Sequence, residues 1–138
     1  VTGGLGGVMA AASLGARSSE YWTDGDVLGV LPGLNTKNAN PWVDIVIPSG
    51  FGRARNVLIV NMAEAVIAVA GGAGTLAEVA LAWQNGKPVI ALATGGGWAA
   101  RLAGRPVDDR RADVVHAASS AAEAIEILQE VLSAAEQD

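Results

Sequence analysis

Three clusters of glycine are the residues whose type and spacing most suggest a chemical role, the binding of a ligand. Eighteen of the 138 residues are glycine, nearly twice the usual share of about 7%. Ten of the eighteen fall in these clusters, each beside an apolar segment: Gly3, Gly4, Gly6 and Gly7, then Gly71, Gly72 and Gly74, then Gly95, Gly96 and Gly97. Because glycine lets the backbone turn tightly and approach an oxyanion, the clusters indicate phosphate binding.

The second cluster has the most complete pattern for a phosphate site. An apolar strand predicted over residues 66–70 runs into the glycines, and a helix follows at Thr75. The free N–H groups and the positive dipole end of that helix favour negative charge. We therefore predict that phosphate is bound by Gly71, Gly72, Gly74 and Thr75. Thr75 and Glu78 also match a capping box, so helix initiation is the alternative role of Glu78.

The first cluster repeats this pattern at the start of the sequence. A strand end is followed by the glycine loop and then by an apolar helix predicted over residues 7–16. In an open parallel sheet, both loops would lie at the carboxyl ends of strands and converge on one crevice. We predict that this loop binds phosphate through Thr2, Gly3, Gly4, Gly6 and Gly7. The alternative is that both loops are tight turns.

An arginine stands at the start of a helix in the middle of the chain. A glycine-rich turn precedes Arg53 and Arg55, and an apolar helix is predicted over residues 52–62. A positive charge at this end opposes the helix dipole, so we expect Arg55 to contact a ligand phosphate or a carboxylate such as Glu78. A solvated surface arginine is the alternative.

Two other nucleotide-binding classes fit less well. Gly72, Gly74 and Ala77 satisfy the loose dinucleotide fingerprint, but no acidic residue lies between Glu78 and Asp108 to bind the ribose, as a nicotinamide or flavin enzyme requires. The Gly-Lys pair of the chain is followed by proline rather than by serine or threonine, which disfavours a Walker-type nucleotidase.

Short β-branched runs alternate with longer alanine-rich segments, which predicts an α/β domain with a parallel central sheet. Strands are predicted over residues 27–31, 45–47, 66–70, 89–93 and 114–116, and helices over residues 7–16, 52–62, 75–85 and 120–135. Thr75 and Ser120 are the predicted N-caps. Residues 32–41 form a predicted ligand-binding or lid loop. Trp98 either closes over a ligand base or belongs to an exposed turn.

Composition excludes several classes of protein. The absence of cysteine excludes thiol catalysis and thiolate metal sites, and the single histidine, His116, is too few for a histidine metal site. No metal site is therefore predicted. The sequence lacks a basic stripe with interleaved aromatic residues, so it does not have the pattern typical of nucleic-acid binding. No apolar run reaches the length of about 18 residues that a transmembrane helix needs, so we expect a soluble protein. The absence of cysteine suits a reducing cytoplasm, which is the expected location.

A long stretch of the chain resembles a known superfamily. The Gly-Gly-x-Gly-Thr-x-x-Glu core at 71–78, the Arg-x-Arg-Asn run at 53–56 and the first glycine loop are similar to the Rossmann-like superfamily that contains the Lonely Guy phosphoribohydrolases. These cytokinin-activating enzymes are sometimes labelled lysine decarboxylases. Within the superfamily, the chain resembles the molybdenum-cofactor carrier proteins and their bacterial relatives. The resemblance implies a Rossmann-like three-layer sandwich.

The resemblance also implies residue roles. In the phosphoribohydrolases an arginine and a glutamate act together, at positions that correspond to Arg55 and Glu78, and the glutamate works at the N-glycosidic bond of a nucleoside monophosphate. Nearby positions depart from that pattern. The family's Pro-Gly-Gly reads Ala-Gly-Gly at 70–72, its Arg-Lys reads Arg55-Asn56, and its double glutamate reads Ala77-Glu78. These departures count against hydrolysis and leave phosphate binding intact.

The sequence thus predicts a single nucleotide-binding domain over residues 1–138, of the molybdenum-cofactor-carrier type. Its expected ligand is a phosphorylated small molecule, such as a nucleoside monophosphate or molybdenum cofactor. The alternative is a phosphoribohydrolase that uses Arg55 and Glu78 as catalytic residues, and not a true lysine decarboxylase. The resemblance further implies a homo-oligomer, dimer or tetramer, and a strand–helix unit before Val1 that the given sequence lacks.

Overall fold

Helices and parallel strands alternate along residues 1–135, which the computed structural model describes. The chain divides into two compact units. The N-terminal unit comprises residues 1–62, and the C-terminal unit begins at residue 63. The predicted α/β class with parallel strands is confirmed.

The N-terminal unit is built on a small parallel sheet. Strand β1 pairs with β2 from Leu28 opposite Ile45 to Leu31 opposite Pro48, and Thr2 bridges Gly29 on the other edge of β1. Its elements are α1 (Val8–Arg17), β1 (Leu28–Leu31), a 3-10 helix (Thr36–Asn38), β2 (Ile45–Pro48), a second 3-10 helix (Gly52–Ala54) and α2 (Arg55–Met62). The first glycine loop therefore continues directly from the bridge at Thr2 into α1.

Apolar side chains of β1 and α2 form the centre of this unit. Val30 and Val60 are 0% exposed, Leu31 is 1% exposed, and Ile59 is also buried. Burying a side chain of this size stabilises a fold by about 1.5–3 kcal/mol. This packing fixes β1 next to the first glycine loop, where Leu31 and Gly29 lie against Gly4.

A polar cluster joins the end of α1 to the start of β1. The side chain of Asp44, 1% exposed, forms an ion pair with Arg17 Nε at 3.5 Å, and accepts hydrogen bonds from Trp22 Nε1 at 2.9 Å and from the Val27 N–H at 3.0 Å. Burial raises the pKa of Asp44, but these hydrogen bonds and the Arg17 charge outweigh it, so the pKa lies below its ordinary value. Asp44 is therefore structural.

The C-terminal unit contains a sheet of three parallel strands in the order β3-β4-β5. Its elements are β3 (Val66–Ala68), α3 (Ala73–Gln84), β4 (Val89–Leu92), α4 (Gly97–Leu102), β5 (His116–Ala118) and α5 (Ala121–Ala135). The central strand β4 is the most deeply buried, with Ile90 and Ala91 at 0% exposure. Helix α5 covers this sheet, since Ile127, Leu128 and Val131 pack against the cluster that contains Ile90.

The two predicted N-caps have opposite outcomes. Ser120 caps α5, because its hydroxyl accepts a hydrogen bond from the Glu123 N–H at 3.1 Å. Thr75 does not cap α3: that helix begins at Ala73 with Gly72 as its N-cap and without a side-chain cap. The Thr75–Glu78 capping box is therefore wrong, and Thr75 lies inside the first turn.

Two further expectations differ from the structure. The last strand was expected at 114–116 but spans His116–Ala118, because its register with β4 pairs Ile90 with His116. Val115 instead bonds to the preceding loop, through its N–H to the Arg105 carbonyl and its carbonyl to the Gly104 N–H. Helix α4, which directly follows the third glycine cluster, was not predicted.

Candidate functional site

The first glycine loop is packed tightly in the N-terminal unit. Gly3 and Gly4 are buried. A Cβ atom on Gly29 would lie 2.9 Å from the Gly4 Cα atom, and one on Gly3 would lie 2.6 Å from Nη2 of Arg55. The backbone of the loop thus approaches β1 on one side and the Arg55 guanidinium on another, at distances that leave no room for side chains.

Arg55, the first residue of α2, is fixed beside this loop. Its Nη1 donates a hydrogen bond to Oδ1 of Asn56 at 2.6 Å, and Asn56 is only 8% exposed. Within residues 1–135, Nε of Arg55 is buried and finds no hydrogen-bond acceptor. A buried donor without a partner costs roughly 1–3 kcal/mol, so a ligand oxygen that reached Nε would recover that energy.

Two residues, Thr2 and Asn40, hold the loop through hydrogen bonds within the N-terminal unit. The hydroxyl of Thr2 accepts a hydrogen bond from the Gly4 N–H at 3.1 Å. Asn40 donates to two loop carbonyls, from its backbone N–H to Gly4 at 2.8 Å and from Nδ2 to Leu5 at 2.9 Å. The predicted ligand loop at residues 32–41 therefore contacts the first glycine loop through Asn40.

Helix α1 begins without a side-chain cap. Its N-cap is Gly7, with a φ of 64°, and its first turn contains no acidic residue. Gly6 and Gly7 are both exposed. Since the first N–H groups of any helix lack intrahelical acceptors, this end offers main-chain donors and partial positive charge to a ligand.

The second glycine loop has an unusual backbone in the C-terminal unit. Ala70 has a φ of 48° and Gly71 a φ of 84°. A left-handed conformation costs a residue such as alanine about 1–2 kcal/mol, and such strain is typical of functional sites. The side chain of Thr75 lies directly against Gly71 and excludes a Cβ atom there.

The start of α3 is exposed and sterically open. Gly71, Gly72 and Gly74 are exposed, and a Cβ atom on either Gly72 or Gly74 would meet nothing within 4 Å. Gly74 lies inside the helix, where glycine is destabilising by about 0.5–1 kcal/mol relative to alanine. The fold itself does not need glycine at these two positions, and the close approach of a ligand would explain it.

The end of the third glycine cluster and the start of α4 pack against the second glycine loop. The Trp98 and Ala99 N–H groups donate to the carbonyls of Gly71 and Ala70, each at 3.0 Å. A Cβ atom on Gly97 would overlap the Ala70 carbonyl carbon and lie 2.6 Å from the Gly71 oxygen. Gly97 is therefore packed against the loop, whereas a Cβ atom on Gly95 or Gly96 would meet nothing within 4 Å. Arg101 stacks on the Trp98 ring, 5.1 Å from its centroid.

A depression of about 500 Å³ lies at the amino ends of β4 and β5, away from the glycine loop. Two cationic side chains that line this depression, those of Lys87 and Arg111, already have partners within the protein. Lys87 Nζ donates to the Ala63 carbonyl, and Arg111 donates to the Trp83 carbonyl at 2.6 Å and pairs with Asp113. Ligands of parallel α/β sheets bind at the carboxyl ends of the strands, so the glycine loops are the better candidates.

The structure places the predicted site residues in two groups. Gly3 lies against Arg55 in the N-terminal unit, and Thr2 and Gly4 belong to the same loop, joined by the hydrogen bond from the Gly4 N–H to the Thr2 hydroxyl. The residues of the second loop lie around the start of α3 in the C-terminal unit, and Glu78 is half-buried in the second turn of that helix. Arg55 and Glu78 belong to different units, and their cooperation stays a prediction.

Sequence reasoning missed the roles of four residues at or beside these loops. Asn40 reaches the first loop across 35 positions of sequence, and no local pattern signals such a contact. The Trp98 and Ala99 amides are main-chain donors, which no side-chain pattern identifies. Asn56 adjoins Arg55 in the Arg-x-Arg-Asn run, and this adjacency was the one available signal.

No group of three or more histidine, cysteine, aspartate or glutamate side chains among the described residues 1–135 is placed to hold a metal ion. Every helix in that range is too short or too polar to cross a lipid bilayer.

Comparison with known proteins gives concordant matches. The model of a family described as LDcluster4, the SLOG cluster4 family, matches residues 1–129. An uncharacterised protein of Archaeoglobus fulgidus is 44% identical over 92 residues, which are 67% of this chain and 58% of that protein. The matched region thus spans less than two thirds of the archaeal protein.

Two solved structures are similar to the chain. The X-ray structure of TM1055 has a TM-score of 0.82 and 32% identity, covering 93% of this chain and 75% of the other. The molybdenum cofactor binding protein of the phototrophic bacterium Rippkaea orientalis has a TM-score of 0.75 and 40% identity, covering 91% of this chain and 72% of the other. Both likenesses agree with a Rossmann-like fold.

Proposed function

Because the chain belongs to the SLOG cluster4 family, we propose that it is a carrier-type binding protein for a phosphorylated, nucleotide-like ligand. A nucleoside monophosphate and molybdenum cofactor are the two candidate ligands, and each carries a phosphate. The observation that carries the proposal is the position of the Arg55 guanidinium, which lies against Gly3 of the first glycine loop with a buried, unpartnered Nε. Arginine and main-chain N–H groups together are the donors that bind phosphate best.

The likeness to a molybdenum cofactor binding protein supports this class of ligand. Residues 1–135 contain no cluster of side chains suited to hold a metal. A molybdenum-containing ligand would therefore be held through its phosphate and its organic part. The proposal also includes a cytoplasmic location, which the cysteine-free composition suits, and a dimer or tetramer, which the family resemblance implies.

Replacing Gly74 by alanine tests whether the second loop contacts the ligand. We expect Gly74→Ala to stabilise the fold by about 0.5–1 kcal/mol, since glycine is unfavourable inside a helix and the new methyl group meets nothing within 4 Å. We also expect AMP or molybdenum cofactor to bind at least about tenfold more weakly, because the methyl group occupies the space of the phosphate. Urea unfolding and isothermal titration calorimetry measure the two effects.

Gly15 provides the matched control for this substitution. It is also an exposed helical glycine, in α1, and a Cβ atom there would meet nothing within 4 Å. Gly15→Ala should give the same gain in stability with unchanged ligand affinity. If Gly74→Ala binds as tightly as Gly15→Ala, the second loop does not contact the phosphate.

A second candidate function is the hydrolysis of nucleoside monophosphates. Glu78 favours it, because this half-buried carboxylate follows Gly74 by four residues and so lies on the same face of α3. A carboxylate there could stabilise the positive charge that develops on the ribose as the N-glycosidic bond breaks. Arg55 would orient the substrate phosphate in this reaction.

The hydrolase candidate predicts that the protein releases free base and ribose 5-phosphate from AMP. Glu78→Gln should then lower turnover by at least about a hundredfold, the scale of general acid–base or electrostatic catalysis, while AMP still binds. Glu64→Gln, at an exposed carboxylate of the same unit, is the control and should keep full turnover. A wild-type protein that binds AMP without releasing base would eliminate this candidate and leave the carrier role.

A further inference from the structure

We infer that Asn40 is a positioning residue of the phosphate site: it turns the N–H groups of Leu5 and Gly6 toward the ligand. This inference rests on the proposed function and identifies which main-chain donors of the first loop carry it. The contacts of Asn40 lie wholly within the N-terminal unit, so they are independent of how the two units are arranged.

Two hydrogen bonds join Asn40 to the loop, and a third fixes the orientation of its side-chain amide. Its backbone N–H donates to the Gly4 carbonyl at 2.8 Å, and its side-chain Nδ2 donates to the Leu5 carbonyl at 2.9 Å. Its Oδ1 accepts a hydrogen bond from the Trp42 N–H at 3.1 Å. The last bond fixes the amide so that nitrogen, rather than oxygen, faces the glycine loop.

The two donated bonds determine where the next N–H groups point. In a trans peptide, the carbonyl of one residue and the N–H of the following residue point in opposite directions, and the chain has no cis peptide among residues 1–135. With the Gly4 and Leu5 carbonyls directed at Asn40, the N–H groups of Leu5 and Gly6 must point away from it. Two successive N–H groups on one side form a concave anion site.

The second glycine loop uses the same arrangement with other donors. The carbonyls of Ala70 and Gly71 accept hydrogen bonds from the Ala99 and Trp98 N–H groups, each at 3.0 Å. The N–H groups of Gly71 and of the residue after it therefore point away from α4. In both loops, therefore, two successive carbonyls accept hydrogen bonds from a neighbouring segment, and the N–H groups that follow them point the other way. This recurrence supports the inference that these hydrogen bonds direct main-chain donors at an anion.

A substitution of nearly equal shape can remove this positioning. Asn40→Asp keeps the size and the acceptor for the Trp42 N–H, but replaces the Nδ2 donor with a carboxylate oxygen that faces the Leu5 carbonyl. Repulsion between the two oxygens should rotate that peptide and withdraw the Gly6 N–H from the site. The added negative charge would also oppose an incoming phosphate.

The test is titration of the protein with AMP, followed by calorimetry and by the ¹⁵N–¹H spectrum of the amides. In the wild type, we expect the Leu5 and Gly6 amides to be among those whose resonances shift most. Asn40→Asp should weaken AMP binding by at least about tenfold. Asn38→Asp makes the same change of charge at an exposed residue of the same loop and should bind AMP as the wild type does.

Asn40→Ala provides a second variant that lacks the added charge. It removes the Nδ2 donor and also the Oδ1 acceptor of the Trp42 N–H, but it adds no negative charge. Its affinity for AMP should therefore fall between those of wild type and Asn40→Asp, and it carries the test if the aspartate variant fails to fold. Adenosine, which has no phosphate, should bind all the folded variants equally. A loss of adenosine binding in parallel with AMP binding would assign Asn40 a purely structural role and overturn the inference.

The remaining outcomes separate the inference from the proposed function. If AMP binds but the Leu5 and Gly6 amides do not respond, or if Asn40→Asp binds AMP as tightly as Asn38→Asp, the inference is wrong and the carrier role stands. If neither AMP nor molybdenum cofactor binds the wild-type protein, the proposed function fails, and the role of Asn40 fails with it.

Discussion

Gly97→Ala should destabilise the protein by about 2–5 kcal/mol. Gly97 has a φ of 65°, which costs an alanine about 1–2 kcal/mol. The new Cβ atom would also overlap the Ala70 carbonyl carbon and lie 2.6 Å from the Gly71 oxygen, and overpacking of this kind costs a further 1–3 kcal/mol, roughly. Against a total stability of about 5–15 kcal/mol, this is a severe loss, which urea unfolding would measure.

Gly96 allows the two contributions to be separated. Its φ of 74° is equally left-handed, but a Cβ atom there would meet nothing within 4 Å. Gly96→Ala should therefore cost only the conformational part, about 1–2 kcal/mol. Equal losses in the two variants would show that α4 does not pack against the second glycine loop as described.

Arg55→Ala should lower the affinity for a phosphorylated ligand about ten- to a hundredfold. Hydrogen bonds that involve a charged group contribute about 1.5–3 kcal/mol, and each 1.4 kcal/mol corresponds to a factor of about ten in binding. The guanidinium lies at the first loop, with Nη2 beside Gly3 and Nε buried without a partner. Calorimetric titration with AMP or with molybdenum cofactor would measure the loss.

Arg53 is the matched control for Arg55. It lies two positions earlier and is exposed, so Arg53→Ala makes the same change of charge away from Gly3 and should leave the affinity nearly unchanged. Arg55→Lys should recover only part of the affinity, because lysine keeps the charge and loses the planar fork of donors. If Arg53→Ala and Arg55→Ala weaken binding equally, long-range electrostatics rather than contact would explain the effect.

The fold class was predictable because periodicity reports burial directly. A strand such as β4, buried on both faces, is a continuous apolar run, and residues 89–92 show one. Strand β5 shows the limit of this reasoning, since Val114 and Val115 are as apolar as a strand requires. Pairing with β4 begins only at His116, and a partner strand is not visible in a local pattern.

Helix starts were predictable where a side chain forms the cap. Ser120 accepts the Glu123 N–H as its position suggested. At α3 the cap is Gly72, and Gly74 lies within the first turn, although glycine is among the weakest helix formers. Because glycine is rarely found in helices, the sequence did not predict that α3 begins before Thr75. For the same reason it did not predict α4, which begins at Gly97.

The local geometry of the candidate site was predictable as far as the glycine loops and the position of Arg55, whereas their role in binding stays a prediction. The pattern of strand, glycine loop and helix identified both loops, and the helix start singled out Arg55, which the structure places against Gly3. The residues that orient the loops come from distant segments, as Asn40 does. Their role depends on which way a carbonyl points, and that is a property of the folded backbone alone.

In each glycine loop, hydrogen bonds fix two successive carbonyl groups: those of Gly4 and Leu5 in the first loop, and those of Ala70 and Gly71 in the second. This arrangement has an evolutionary consequence. The donors that these hydrogen bonds direct outward belong to the main chain, which every amino acid shares, so most substitutions in the loops would leave those donors in place. Residues that meet the rest of the ligand are free to change independently. If the loops bind phosphate as proposed, selection for a different phosphorylated ligand would change the residues around the rest of that ligand and keep the same main-chain donors.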